Sequence, residues 1–578
     1  MQRTRRPHPF GFIREFVTRW DALALIMVLG LVAFLAEASR GLLAPLSQLD
    51  ATPLSLAPQH LPEYAARTTS RMFAAMILSL LFTLSYATWA AKSPRAAKVL
   101  IPLLDILQSV PILGFISITV VFFMSLVPGR VLGAEFAAIF AIFTSQAWNM
   151  AFSFYQSLRT VPTELAEAAA SFHLTPWMRF WQLEVPFGLP ALIWNMMMSM
   201  SGGWFFVVAA ESISVGHTAV ALPGIGSYIA LAIQQRNLHA IGWAIATMAL
   251  VILIYDQLLF RPLIGWVDRF RVEQEPSAET PQSWALTVMR RSRLISALTV
   301  MFYAAVRWTS WALPAGNARP SAALAARQQR SRRWDALWLA IMLVALGLAL
   351  RKLSQTLIAQ THWVELKEVG VLGLFTMARV VILIALASVV WVPIGVWVGL
   401  RPRATQLVQP IAQFLAAFPA NLLFPLAVYA IVAGHLNPDI WLSPLMVLGT
   451  QWYILFNVIA GASAMPAELR RAAQNLRVSG WLWWRRVALP GVMPYFVTGA
   501  ITASGGSWNA AIVAELASWG NTQVHAHGLG AYIAAATAAG DYHRIVLGIA
   551  AMCLFVVTIN RLFWRPLYYY AERRYRLT

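Results

Sequence analysis

Two stretches of the chain gather carboxylates, guanidinium groups and indoles at similar spacing. The first runs from Glu164 and Glu167 through Ala168 and Ala169 to Leu174, Trp177 and Arg179. The second runs from Glu468 through Ala472 and Ala473 to Val478, Trp481 and Arg486. Neither spacing makes a catalytic or metal-binding set. Each offers apolar knobs ringed by charge, and in docking surfaces of that composition buried aromatics anchor while rim charges orient. The rest of the chain is equally poor in reactive groups. No Gly-Lys dipeptide occurs, so a GxxxxGK(S/T) phosphate loop is missing, as are HExxH, a nucleophile elbow and Cys/His metal spacings. The one cysteine, Cys553, cannot form an intramolecular disulfide. No catalytic residue, metal or cofactor is expected in this chain. If ATP powers it, ATP and Mg are bound by a partner.

A second group of polar residues falls inside apolar runs. Asn149, Asn195, Ser199, Ser201 and Trp204 lie in the first half, and Gln451, Asn457, Ser504, Ser507, Trp508 and Asn509 in the second. Polar groups at membrane depth are costly unless they line protein or water, so these residues are candidates for a translocation path. The competing reading is hydrogen bonding between helices brought close by Gly202, Gly203, Gly505 and Gly506. Met196, Met197, Met198 and Met200 read as lipid-facing or core filler rather than ligands. Glu211 and Glu515 sit at the far ends of their spans, as interfacial caps or parts of an outer gate. Either role requires a nearby cation or hydroxyl as partner.

The elements that must position these groups are membrane helices. Of 578 residues, 59% are hydrophobic and 12% charged, which excludes disordered, collagenous and disulfide-scaffold classes and argues against a soluble enzyme. Apolar runs long enough to cross a bilayer recur near 21–37, 70–91, 99–127, 134–157, 189–211 and 240–260. A second set lies near 334–351, 371–400, 405–433, 440–464, 492–515 and 543–564. The fold expected is therefore an all-α polytopic membrane protein of about twelve transmembrane helices. The net charge of +20 gathers at both termini and in 265–333, beside the spans, which assigns these stretches to the cytoplasm rather than to nucleic acid. Arg19-Trp-Asp-Ala-Leu23 recurs as Arg333-Trp-Asp-Ala-Leu337, so the first apolar run reads as an anchor and not a cleaved signal.

Self-comparison shows why the motifs come in pairs. At an offset of 304, Pro162, Glu164, Pro186, Gly202, Trp204, Glu211, Gly224, Gly226 and Pro262 fall on Pro466, Glu468, Pro490, Gly506, Trp508, Glu515, Gly528, Gly530 and Pro566. Upstream the offset is 308, pairing Arg71 with Arg379 and Pro111 with Pro419. The chain divides into a first repeat at 1–263 (core 70–262), a linker at 264–332 and a second repeat at 333–578 (core 378–566). Two same-orientation repeats imply a pseudo-twofold along the membrane normal, with a transport path between the halves. In the linker, Leu294–Trp308 is too short to span and reads as an interfacial helix.

The stretches 158–188 and 465–491 resemble the EAA loop of ABC importer permeases of the binding-protein-dependent type. The family's glycine is replaced by His173 and Arg477, and its glutamate, Glu167 in the first copy, by Arg471 in the second. Gln108-Ser-Val-Pro111, Trp148-Asn-Met-Ala-Phe152 and Leu222-Pro-Gly-Ile-Gly226 are similar to the nitrate/taurine/bicarbonate branch. The resemblance implies a fused, non-catalytic permease subunit in the bacterial inner membrane, with both termini cytoplasmic. It implies two ATPase subunits docked on the EAA-like loops, a periplasmic or lipid-anchored solute-binding protein, and a small anion such as nitrate, bicarbonate or a sulfonate as cargo. The alternatives are a secondary transporter of the major-facilitator kind, whose signature follows the second span rather than the fourth, and a non-transporting membrane scaffold.

Overall fold

The computed structural model describes residues 54–109, 111–215, 218–267 and 363–575, with isolated positions elsewhere. The expected spans 21–37 and 334–351 and the expected interfacial helix Leu294–Trp308 fall outside these ranges. In the first repeat α1 (Leu61–Lys92), α2 (Pro94–Ser109), α3 (Ile112–Leu126) and α4 (Val131–Arg159) lead to the short α5 (Thr163–Ser171). Next come α6 (Pro176–Glu211), the β1–β2 hairpin (Ser212–Val215, Thr218–Ala221), α7 (Ile225–Gln234) and α8 (Leu238–Val267). The second repeat follows the same order: α9 (Trp363–Gly399), α10 (Pro402–Ala417), α11 (Phe424–Ala433), α12 (Pro438–Leu448), α13 (Gln451–Ser463) and α14 (Ala467–Asn475). It closes with α15 (Gly480–Ala514), the β3–β4 hairpin (Leu516–Trp519, Thr522–His525), α16 (Leu529–Ala539) and α17 (Tyr542–Arg574).

The chain is an all-α polytopic membrane protein. Among the described residues seven helices are long and apolar enough to cross a membrane, or nine when the bent pairs α10/α11 and α12/α13 each count as one. The continuous spans expected at 99–127 and 405–433 are both broken. Pro111 and Pro419 cap the second segments with extended backbone, since a proline supplies no N–H to continue a helix. The second break bends the chain by 67°. α12 and α13 are bent by 45°, whereas their counterpart α4 runs unbroken. The sequence explains the difference: Ala134, Phe140 and Ser145 of α4 become Pro438, Pro444 and Gly449.

Proline also shapes the longest spans. Pro186, Pro262, Pro490 and Pro566 each sit two residues beyond a wide turn, at Phe180–Glu184, Asp256–Phe260, Trp484–Ala488 and Asn560–Trp564. In each the residue before the proline donates to a carbonyl five residues back, as Val185 N–H does to Phe180. A proline ring would strike the carbonyl four residues back, and one π-turn moves that carbonyl aside without ending the helix. The segment after the EAA-like corner is therefore not a separate loop helix followed by a span. It runs straight into α6 and α15.

Within the repeats α1 and α6 flank α4, and α9 and α15 flank α13. Between them the contacts are reciprocal. α3 packs on α15 and α17, while α10 and the turn at Ala420–Leu422 pack on α6.

Candidate coupling elements and buried polar clusters

The EAA-like corners share one backbone. α5 ends where the Leu174 N–H donates to the Ala169 carbonyl at 3.1 Å and His173 N–H to Ala170 at 2.9 Å. α14 ends with Val478 donating to Ala473 at 2.9 Å and Arg477 to Gln474 at 3.0 Å. This is the Schellman pattern, which needs a left-handed residue after the cap. His173 has φ 51° and Arg477 φ 52°, so the two positions that depart from the family's glycine carry the conformation glycine favours. Ala169 and Ala473 are buried, whereas Glu164, Glu167, Ala168, Glu468 and Ala472 are exposed. Leu174 and Val478 are half-buried. Trp177 packs against Phe180 and Trp181, while Trp481 is 73% exposed and Arg486 is also exposed. Arg179 pairs with Glu184, which also holds Lys92 at 2.8 Å. The second repeat has no such latch, because Leu400 and Ala488 stand at the equivalent positions.

At the other end of α6, Glu211 is fully buried and its partners are complete. Arg71 donates to it at 2.7 Å, and the Gly226 N–H at 2.7 Å. The same guanidinium holds Glu135 through Nε at 2.6 Å and Nη2 at 2.7 Å, and donates to the Pro223 carbonyl at 3.0 Å. In the second repeat Arg379 donates to Glu515 at 3.1 Å, Asp439 at 2.7 Å and the His527 carbonyl at 2.8 Å. Thr376 donates to Glu515 at 2.9 Å, and His527 N–H to Asp439 at 2.8 Å. Burying two charges without partners would be prohibitive, and the cation-to-carboxylate forks supply them. The glycine pairs serve this geometry through space alone: a Cβ at Gly224 or Gly528 would stand 2.3 Å from the glutamate Cδ. One at Gly226 or Gly530 would lie 2.2 or 2.4 Å from a carbonyl of α6 or α15.

The residues expected to line a path divide into two groups. Ser201 donates to the Ala416 carbonyl across the halves, and Trp204 lies beside it against Tyr255. Both border a cavity of about 40 Å³ between α6 and α8 on one side and α10 and α13 on the other. A water needs roughly 10–15 Å³ on this scale, so the cavity has room for a few waters. Met197, Met198 and Met200 line it too, and Met197 and Met200 are buried in the core. Asn509 also crosses between halves, its Oδ1 accepting from Ile112 N–H at 2.6 Å where α3 begins. Asn421 makes the mirrored contact, donating to the Phe205 carbonyl at 3.0 Å.

The others hold helices within one half. Asn149 donates to Ser199 at 3.1 Å, and Asn195 to Ser153 at 2.7 Å. Gln451 accepts from Trp391 at 2.9 Å, and Ser507 meets Thr450 at 2.9 Å. Trp508 is buried on Phe555. Of the residues expected to share a route, Ser201, Trp204 and Asn509 stand where the halves meet, while Asn149 and Trp508 have their partners within one half. Glu211 and Glu515 each have the cation partner that the sequence required of them, Arg71 and Arg379. Sequence reading left Glu135 and Asp439 unassigned, although the 304 offset pairs them and each is an acid within or beside an apolar run.

The model for the binding-protein-dependent transport system inner membrane component matches residues 83–261 and again 391–577. Similar proteins include a bicarbonate transport system permease protein, CmpB, of Synechococcus elongatus, 30% identical over 23% of this chain and 46% of its own length. A glycine betaine/carnitine transport permease protein, GbuB, of Listeria monocytogenes is 27% identical over 33% of this chain and 63% of its own. A nitrate import permease protein, NrtB, of Leptolyngbya laminosa is 25% identical over 32% and 63%. The chain spans about half the length of the first of these relatives. The match lends nothing to the secondary-transporter alternative. Because it recurs in both repeats and covers more than half of the sequence, the chain belongs to the binding-protein-dependent transport system inner membrane component family, with two copies of its domain in tandem.

Proposed function

We propose that this chain is the fused permease of an ATP-driven importer in the bacterial inner membrane, with both termini cytoplasmic. It works with two ATPase subunits and a periplasmic or lipid-anchored solute-binding protein, and it carries a small anion such as nitrate, bicarbonate or a sulfonate. One observation carries the reading: at matched positions, an exposed two-helix corner continues without a break into a long span that reaches the interface of the halves. A corner that is stiffly joined to α6 or α15 can pass a partner's movement to Ser201, Trp204 and Asn509. Such a movement would widen the small cavity there. The anion follows from likeness to nitrate and bicarbonate permeases. A second reading, a zwitterion bearing a quaternary ammonium, draws support from the aromatic rings of the cavity wall, Trp204, Tyr255, Phe414 and Phe456; Asp256 beside them is already paired with Arg261 at 3.0 Å.

The test is uptake in vesicles holding the full assembly, with labelled nitrate, bicarbonate, a sulfonate and glycine betaine offered in turn. ATP-dependent uptake of one of the anions supports the first reading, and of betaine alone the second. Trp177→Ala combined with Trp481→Ala is expected to leave the protein inserted while releasing the ATPase and abolishing uptake. Retention of the partner and of transport would remove these corners from the coupling path.

A further inference from the structure

We infer that the two ATPase seats are electrically opposite and are filled by two different ATPase chains, the one at the second corner presenting an acidic groove. This rests on the coupling reading above. The seats agree in shape: φ is 51° and 52° at the turn, and the apolar tips Phe172 and Leu476 are 78% and 76% exposed. They differ in charge. Ala166, Glu167, His173, Trp181 and Gln182 of the first seat are replaced, at the same offset, by Arg470, Arg471, Arg477, Arg485 and Arg486. Among the described residues none of these arginines meets an acidic side chain, and all but the half-buried Arg470 are exposed. In the first seat Glu164 and Glu167 are exposed, and the cation Arg179 is already held by Glu184; the second seat keeps one exposed acid, Glu468, against its five arginines.

Two identical grooves cannot complement both surfaces, because whichever charge suits one seat meets its like at the other, and like charges facing across an interface exclude a partner. Two chains with opposite groove charge remove the conflict. The arginines alone would also suit anionic lipid headgroups. A lipid surface would repel the acidic first corner, however, and the two corners are the same element at the same position.

The experiment places benzoylphenylalanine at Phe172 or at Leu476 in the full chain in its native membranes. Each captured polypeptide is then identified by mass spectrometry. Two distinct ATP-binding chains, one per position, are expected. One polypeptide captured at both positions, or capture at one position alone, overturns the inference and leaves the coupling reading standing. Lipid adducts alone, or no ATP-binding chain at either position, overturn both. Arg471→Glu with Arg477→Glu should lower capture at Leu476 at least tenfold more than capture at Phe172; equal effects overturn the inference. If that variant does not fold, a salt series on the probe-bearing parent reads the same difference, since screening weakens exposed charge contacts.

Discussion

In the first repeat Arg71 meets Glu135 and Glu211 at side-chain exposures of 4%, 6% and 0%. In the second, Arg379 meets Asp439 and Glu515 at 12%, 37% and 1%. The residues correspond one to one, and so do the threonines, backbone carbonyls and glycine amides that complete each cluster. What changed is the helix bearing the second acid. α4 is continuous and holds Glu135 inside, whereas Pro438 and Pro444 break its counterpart and leave Asp439 at the edge. There the exposed ring of His527 reaches Asp439 at 3.0 Å. Duplication preserved the chemistry, and three substitutions toward proline and glycine altered its access to water. The first cluster is a sealed brace for its end of the bundle, and the second is a solvated one.

The comparison is tested most severely by removing the cations. Arg71→Met leaves two carboxylates buried without a cation, and losing one member of a buried pair costs about 3–5 kcal/mol. Arg379→Met should cost about half as much, since water reaches Asp439. Thermal unfolding of the two detergent-solubilised variants measures the difference, and equal losses would show that the exposure gap has no energetic weight. The acids give a smaller version of the same contrast. Glu135→Gln should cost about 2 kcal/mol, the scale of a buried charge-assisted hydrogen bond, while Asp439→Asn should stay under about 1 kcal/mol.

The repeats differ again where they touch each other. Asn509→Ala strips the Ile112 N–H, an orphan at the start of α3, of its acceptor, for an expected loss of about 1–2 kcal/mol. Asn421→Ala removes a second donor from the Phe205 carbonyl, which lies inside α6 and keeps its helical partner, so about 0.5 kcal/mol is expected. A reversed order of the two melting temperatures would mean that the caps do not act through these groups.

Much of this was legible in the sequence. The repeat offsets alone aligned Arg71 with Arg379 and Glu211 with Glu515, and hydropathy gave the helical class. Which acids would close the clusters was not legible, because Glu135 and Asp439 sit far from the arginines in sequence and at the ends of otherwise apolar runs. Nor could composition tell an amide on a path from an amide tying two helices, as Asn149 and Asn195 do. Both are polar atoms in an apolar run, and only the packing angle of the neighbour separates them. The breaks at Pro111 and Pro419 could have been read from proline chemistry, yet the apolar runs pass through them unchanged. Hydropathy registers solvent preference and is blind to a missing N–H.

The last contrast concerns the two turns where the repeats are most alike. At φ near +50° a side chain with a Cβ crowds the following carbonyl, which costs roughly 1–2 kcal/mol relative to right-handed backbone. Glycine removes that strain but brings a more flexible unfolded chain, which returns part of the gain. His173→Gly and Arg477→Gly should therefore each stabilise the protein by about 0.5–1 kcal/mol, by the same amount, since φ differs by one degree between them. Their effects on the ATPase should diverge. His173→Gly removes little charge from its corner and should leave partner binding near its original level. Arg477→Gly removes one of the exposed cations of the second corner and should weaken binding several-fold, more at low salt than at high. Melting temperature and ATPase co-purification, measured together on both variants, separate the backbone contribution of this position from its charge. Equal binding losses in the two would mean that the left-handed residue serves only the turn.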